Sequence, residues 1–303
     1  MNTIEIEGVS KTFGNVTAVD DLSLCVPQGS VYGFIGPNGA GKTTTIRMVM
    51  RIFHPDCGQI RVFGEGHSET ATDRIGYLPE ERGLYKKMKV NEILKFYAKL
   101  KGLRSPQEEI DEWLERMNLS EWKNKKVETL SKGMSQKLQF IAAVVSKPEL
   151  VILDEPFSGL DPVNTEVIRE AVLNLKRQGT TVIFSTHDMN VAEMMCDYIF
   201  MIFKGKKVLD GTLEEIQSSY SSDSIRLRME GNSLDLNSIP DVERIADFGH
   251  YQEIRLRDGA NPQNFLADIV PKTNIQRFEL TRPSLEDIFI RIAGPAAEEL
   301  EHV

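Results

Sequence analysis

Residues 36–44 read Gly36-Pro37-Asn38-Gly39-Ala40-Gly41-Lys42-Thr43-Thr44. The glycines let the backbone curl so that several N–H groups turn toward one anion. Lys42 then offers an ammonium to β- and γ-phosphates, Thr43 a hydroxyl ligand for Mg²⁺, and Thr44 a hydrogen bond to a phosphate oxygen. A helix starting there adds the positive end of its dipole. Further along, residues 150–156 read L-V-I-L-D-E-P: an apolar run that ends on two carboxylates. In open α/β sheets ligands bind at the carboxyl ends of the strands. Asp154 suits Mg²⁺ held through water. Glu155 suits polarisation of an attacking water, as general base or as its orienter.

These groups work only if the right elements carry them. Val31–Ile35 is a short, nearly continuous apolar run and reads as a buried strand. It runs into the Gly-rich loop, and Thr43–Phe53 reads as a helix, so the loop has the strand-loop-helix context of a P-loop. Leu150–Leu153 and Thr181–Phe184 read as further strands with a helix at Thr165–Arg177 between them, which implies a parallel sheet covered by helices. Ile4, Ile6 and Val9 alternate like an edge strand with one buried face, and Leu22, Leu24 and Val26 repeat that period. Val90–Lys101, Glu108–Asn118 and the stretch holding Leu138, Ile141, Ala142 and Val145 have helical spacing. They form a helical insertion at about 85–148. Ile199–Phe203, Lys206–Leu209 and a helix at Leu213–Gln217 close the first domain, 1–217. The Ser-rich stretch 218–224 reads as a boundary. A smaller α+β domain, 225–303, follows, with alternating Ile225, Leu227 and Met229, helices at Pro262–Val270 and Pro283–Ile292, and a strand at Ile275–Leu280.

Further motifs stand in a fixed order: Tyr77-Leu78-Pro79-Glu80, then L-S-K-G-M-S-Q at 130–136, S-G-L-D at 158–161, and Thr186-His187 after a strand. With the P-loop and the acidic strand, this set resembles the ABC ATPases over residues 1–217. The resemblance implies an α/β P-loop core with an antiparallel β layer, a helical subdomain and a small C-terminal α+β domain. It implies ATP and Mg²⁺ as the cofactors. It assigns Phe13 to the aromatic that stacks on adenine, where Tyr is more usual. It assigns Glu80 to the Q-loop, where Gln is typical and where a carboxylate still suits Mg²⁺. Ser131 and Gly133 would open a helix facing the γ-phosphate held by a second subunit, homodimeric or heterodimeric, and Asp161 would lie at that seam. His187 would contact the γ-phosphate and position the water. The signature departs from the usual L-S-G-G-Q at Lys132 and Met134. Residues 77–85, the L-S-K-G-M run and T-R-P-S-L-E-D-I-F-I at 281–290 resemble a bacterial exporter group related to sodium-efflux and drug-resistance subunits.

Composition bounds the alternatives. The chain has 303 residues, 41% of them hydrophobic and 27% charged, with a formal net charge of -9. An acidic chain is poorly suited to a phosphate backbone, so no nucleic-acid partner is expected. Cys25, Cys57 and Cys196 are widely spaced and make no metal or disulfide pattern; they read as buried or half-buried thiols in a reducing cytoplasm. No apolar run reaches the roughly 18–20 residues a spanning helix needs. The expected arrangement is therefore a cytoplasmic subunit held on the inner face of the membrane by a separate permease, reached through the groove near Glu80–Met88. A soluble ABC ATPase acting on a ribosome or DNA complex is the alternative. A nucleotide kinase would explain Lys42 but not the later motifs.

Overall fold

The computed structural model describes residues 1–65, 70–81, 83–220, 224–230, 234, 236–247, 249–257 and 259–298. Three residues of the Ser-rich boundary, 221–223, lie outside them. In chain order the elements are β1 (Asn2–Phe13), β2 (Val16–Pro27), β3 (Val31–Ile35), α1 (Lys42–Val49), β4 (Cys57–Val62), α2 (Thr70–Asp73) and β5 (Ile75–Leu78). Then come α3 (Val90–Leu100), α4 (Gln107–Arg116), α5 (Lys132–Val144), β6 (Leu150–Asp154), α6 (Pro162–Arg177), β7 (Thr181–Thr186), α7 (Met189–Met195), β8 (Tyr198–Phe203), β9 (Lys206–Gly211) and α8 (Leu213–Ser219). The last are β10 (Ser224–Glu230), β11 (Val242–Asp247), β12 (Gln252–Leu256), α9 (Pro262–Ile269), β13 (Asn274–Thr281) and α10 (Leu285–Glu298). The chain divides into two compact units, Met1–Leu213 and Glu214–Val303.

The first unit is built on a six-stranded sheet in the order β5-β6-β7-β3-β8-β9, parallel except for the β8–β9 pair. Side chains alternate across it. Val151, Leu153, Val182 and Phe184 point to a core shared with α3–α6. Leu150, Ile152, Ile183 and Phe200 point to a second core under the antiparallel layer, with Ile4, Ile6, Leu22 and Leu24. Each fully buried side chain of this size is worth roughly 1.5–3 kcal/mol. The two faces explain why β3, β6 and β7 carry unbroken apolar runs.

Three expectations change. β1 is the middle strand of β2-β1-β4 rather than an edge. Its buried face was legible, but its second partner β4 is largely exposed and carries too few apolar residues to announce itself. The helix after the P-loop ends at Val49 instead of Phe53, because Arg51 turns into the left-handed region at φ 58 and the chain folds back on Arg47 O. Cys25 and Cys57 are exposed, since the faces of β2 and β4 that carry them point away from the core.

The second unit is a four-stranded antiparallel sheet, β11-β12-β10-β13. Ile225, Leu227, Ile254 and Leu256 on its inner face pack with Phe265 and Ile269 of α9. Asn261 caps α9 by accepting from Gln263 N at 2.8 Å, with Pro262 in the first turn. Among the described residues no helix of either unit is long and apolar enough to cross a membrane.

Candidate functional site

The register of the parallel strands brings the motifs to one edge. Ile35 stands opposite Thr186, and Asp154 opposite Ser185. The loop after β3, the carboxylates ending β6 and the histidine after β7 therefore emerge side by side. The loop then follows a path that only glycine accepts. Gly36 has φ 155, and a Cβ there would lie 2.2 Å from Ile202 O; Gly41 has φ 115, and a Cβ would lie 2.5 Å from Ala18 O. Gly41 precedes α1, whose first residues Lys42, Thr43 and Thr44 line a cavity of about 410 Å³. Residues 38–44, Ala18, Glu80 and Glu155 line it. Gly36 N–H donates to Thr186 O at 3.4 Å and Ala40 N–H to Pro37 O at 3.2 Å.

Lys42 is 5% exposed, and its Nζ donates to Gly36 O at 2.6 Å and Pro37 O at 3.1 Å. Burial pushes its ammonium below the ordinary lysine value, against the opposing pull of Glu155 and Asp154. Glu155 Oε1 lies 3.7 Å from Lys42 Nζ, and both its carboxylate oxygens lie 3.1 Å from His187 Nδ1. Glu155 itself sits at φ 49, a costly conformation for a residue with a side chain, of the kind found at sites held by their surroundings.

Asp154 is fully buried. Its Oδ1 accepts from Ser185 Oγ at 2.5 Å and from Thr43 Oγ1 at 3.3 Å. Its Oδ2 is buried with no hydrogen-bond partner among the described residues. An orphaned carboxylate oxygen beside a threonine hydroxyl is a hard-oxygen donor set, and it fits Mg²⁺ or a water bound to it.

Sequence reasoning missed the part played by Ser185. While its Oγ donates to Asp154, it accepts from Glu155 N at 3.0 Å, so one hydroxyl holds both acidic residues. Only the β6–β7 register shows this. Gln136 was also missed: its Nε2 donates to Pro156 O at 3.0 Å and ties the signature helix to the end of the acidic strand.

The signature residues form a second cluster. Ser131 caps α5 by accepting from Met134 N at 3.2 Å, and Gly133 lies in the first turn. Lys132 lies across Gly159 of the S-G-L-D turn, so close that a Cβ at Gly159 would stand 2.4 Å from its Nζ. Asp161 caps α6, and its hydrogen bonds from Asn164 hold its carboxyl below the usual range. Phe13 ends β1, is 43% exposed, and packs edge-on against Phe53 at 5.2 Å.

Comparison with known proteins agrees with this geometry. Residues 19–158 match the family described as ABC transporter, and 211–293 match the ATP-binding protein DrrA1-3-like, C-terminal domain. The uncharacterized ABC transporter ATP-binding protein YhaQ of Bacillus subtilis (strain 168) is 43% identical over 297 residues, 97% of this chain and 100% of that protein. This chain belongs to the ABC transporter ATP-binding proteins. The daunorubicin/doxorubicin resistance ATP-binding protein DrrA of Streptomyces peucetius is 32% identical, covering 98% of this chain and 94% of DrrA. A solved structure described as the ATP binding subunit of an ABC transporter superposes with TM-score 0.68 at 30% identity, over 72% of this chain and 93% of that one. As an ABC ATPase subunit of exporter type, the chain binds and hydrolyses ATP to power transport.

Proposed function

We propose that this ABC ATPase is the motor of an exporter whose pore is a separate permease, and that hydrolysis runs on Glu155. The observation carrying this reading is the buried Glu155 carboxylate held between His187 Nδ1 and Lys42 Nζ at the edge of the loop cavity. In that position Glu155 takes a proton from, or aligns, the water that attacks the γ-phosphate. Lys42 and the N–H groups of residues 38–44 hold the phosphates, with Thr44 on a phosphate oxygen. His187 steadies the carboxylate and reaches the γ-phosphate. Thr43 and Asp154 would hold Mg²⁺, with Glu80 on the cavity wall as a further oxygen donor, and the ion would offset phosphate charge there.

Phe13 is the platform for adenine. Ser131, Gly133 and Asp161 serve the nucleotide of a second subunit, identical or related, at the positive ends of α5 and α6. Residues 1–217 form the ATPase domain and 225–303 an accessory domain. The permease contacts the groove near Glu80–Met88 and keeps the subunit on the inner face of the cell membrane. Outward movement fits a relative named for resistance to daunorubicin and doxorubicin.

The test is Glu155→Gln. The variant keeps ATP affinity, loses turnover by about 10²–10⁴-fold, and accumulates as an ATP-bound dimer on a sizing column. Undiminished hydrolysis would remove Glu155 from the mechanism.

A further inference from the structure

The acidic net charge of this chain hides a strongly basic patch. Residues 84–104 carry Lys86, Lys87, Lys89, Lys95, Lys99, Lys101 and Arg104 against the lone carboxylate Glu92; of these, Lys101 is engaged elsewhere, donating to Thr72 O at 2.7 Å. The fold adds to this cluster. Val127 N donates to Met88 O and Glu128 N to Lys86 O, both at 3.0 Å. Val90 N donates to Lys125 O at 3.0 Å, and Lys89 pairs with Lys126 in an antiparallel bridge. Backbone bonds thus set Lys125 and Lys126 beside Lys86, Lys87 and Lys89. Like charges so placed repel, and neighbouring carboxylates do little to offset them. Lys126 reaches Glu128 at 3.5 Å and Lys123 reaches Asp111 at 2.5 Å. Among the described residues no carboxylate is paired with the side chains of Lys86, Lys87, Lys89, Lys95, Lys99 or Lys125. Glu92 is bonded to the Lys89 N–H.

The apolar groups of the patch are arranged to match. The inner face of α3 buries Val90, Ile93, Leu94 and Ala98. Its outer stripe, at helical spacing, is Glu92, Lys95, Phe96, Lys99 and Leu100, with Phe96 40% and Leu100 61% exposed. Tyr85, 57% exposed, meets Phe96 edge-on at 6.0 Å and joins the basic turn to this stripe. Lysine heads set around Tyr, Phe and Leu are the composition of a surface lying at a membrane interface. There the ammonium groups meet anionic headgroups, and the rings sit at the boundary of the hydrocarbon.

We infer that this face of the helical subdomain binds anionic phospholipid headgroups directly. The contact adds to permease docking and extends the membrane placement proposed above. The charge argues for lipid over an acidic protein segment because it runs past the Glu80–Met88 groove, along the outer stripe of α3 to Leu100.

The test uses the full chain without permease or nucleotide, so its result is separate from the fate of the transport reading. It measures co-sedimentation with vesicles of phosphatidylglycerol and phosphatidylcholine in roughly equal parts, and with phosphatidylcholine alone. The chain should bind the mixed vesicles and not the neutral ones. Binding should vanish near 1 M salt, where the screening length falls to about 3 Å. K95Q/K99Q/K125Q should weaken partitioning about a hundredfold, at roughly fivefold per lysine. ATP turnover of that variant should be unchanged, which reports that it is folded; the salt arm on the unaltered chain makes the same test if it is not. No binding to anionic vesicles, equal binding to neutral ones, or full retention by the variant overturns the inference. So does a dependence on these lysines seen only with a permease in neutral lipid, which would assign them to an acidic protein segment.

Discussion

The two units handle charge in opposite ways. In Met1–Leu213, ionisable groups are drawn inside: Lys42, Asp154 and Glu155 are all buried, Asp154 keeps an oxygen without a partner, and Glu155 holds a strained backbone. In Glu214–Val303 the inner face of the sheet is apolar, and three arginines of its strands are paired, Arg226 with Glu253 at 2.7 Å, Arg255 with Glu243 at 2.9 Å and Arg277 with Glu279 at 2.6 Å. Buried charge is costly and persists where a ligand or reaction uses it. Paired surface charge contributes little to stability and carries no such demand. The contrast sets the candidate site in the first unit apart from the apolar core around which the second is built.

Substitutions can break that contrast. Phe265→Ala removes a fully buried ring from the core of the second unit and should destabilise that unit by about 3–5 kcal/mol. Calorimetry should show one transition moving while ATP still protects the other; loss of ATP binding would mean that the second unit serves the site. Lys42→Ala should weaken ATP binding about 10–100-fold, the worth of a charged hydrogen bond at 1.5–3 kcal/mol. Titration with a fluorescent ATP analogue checks this, and unchanged affinity would deny the loop its role. Ser185→Ala sharpens the comparison further. It should cut turnover about tenfold and raise the Mg²⁺ concentration needed, with nucleotide affinity nearly intact, because it leaves the Glu155 N–H unpaired at about 1–3 kcal/mol. Ser185→Thr restores the hydroxyl and should recover most of the loss; an equal defect in both would show that the hydroxyl is not what matters.

Much of the site was legible because its parts are local in sequence. Residues 36–44, Asp154-Glu155 and His187 each follow a strand whose apolar run is plain, and the strands fix where they emerge. What stayed hidden depends on partners distant in the chain. Whether β1 is an edge or a centre is decided by β4, whose exposed Cys57-Gly58-Gln59 start gives no strand signal. β11 was missed for a similar reason: the β-bulge between Val242 and Arg244 breaks its alternation. Lys132 falls across Gly159 because α5 and the S-G-L-D turn meet in space, which no spacing along the chain encodes.

The short link from Ser185 through Thr186 to His187 has a mechanical consequence. The strand that anchors both acids also ends in the imidazole. A pull on that ring would travel two residues to Ser185 and shift the Asp154 and Glu155 ends of β6 together. One shared hydroxyl thereby gears the two acidic residues as one part.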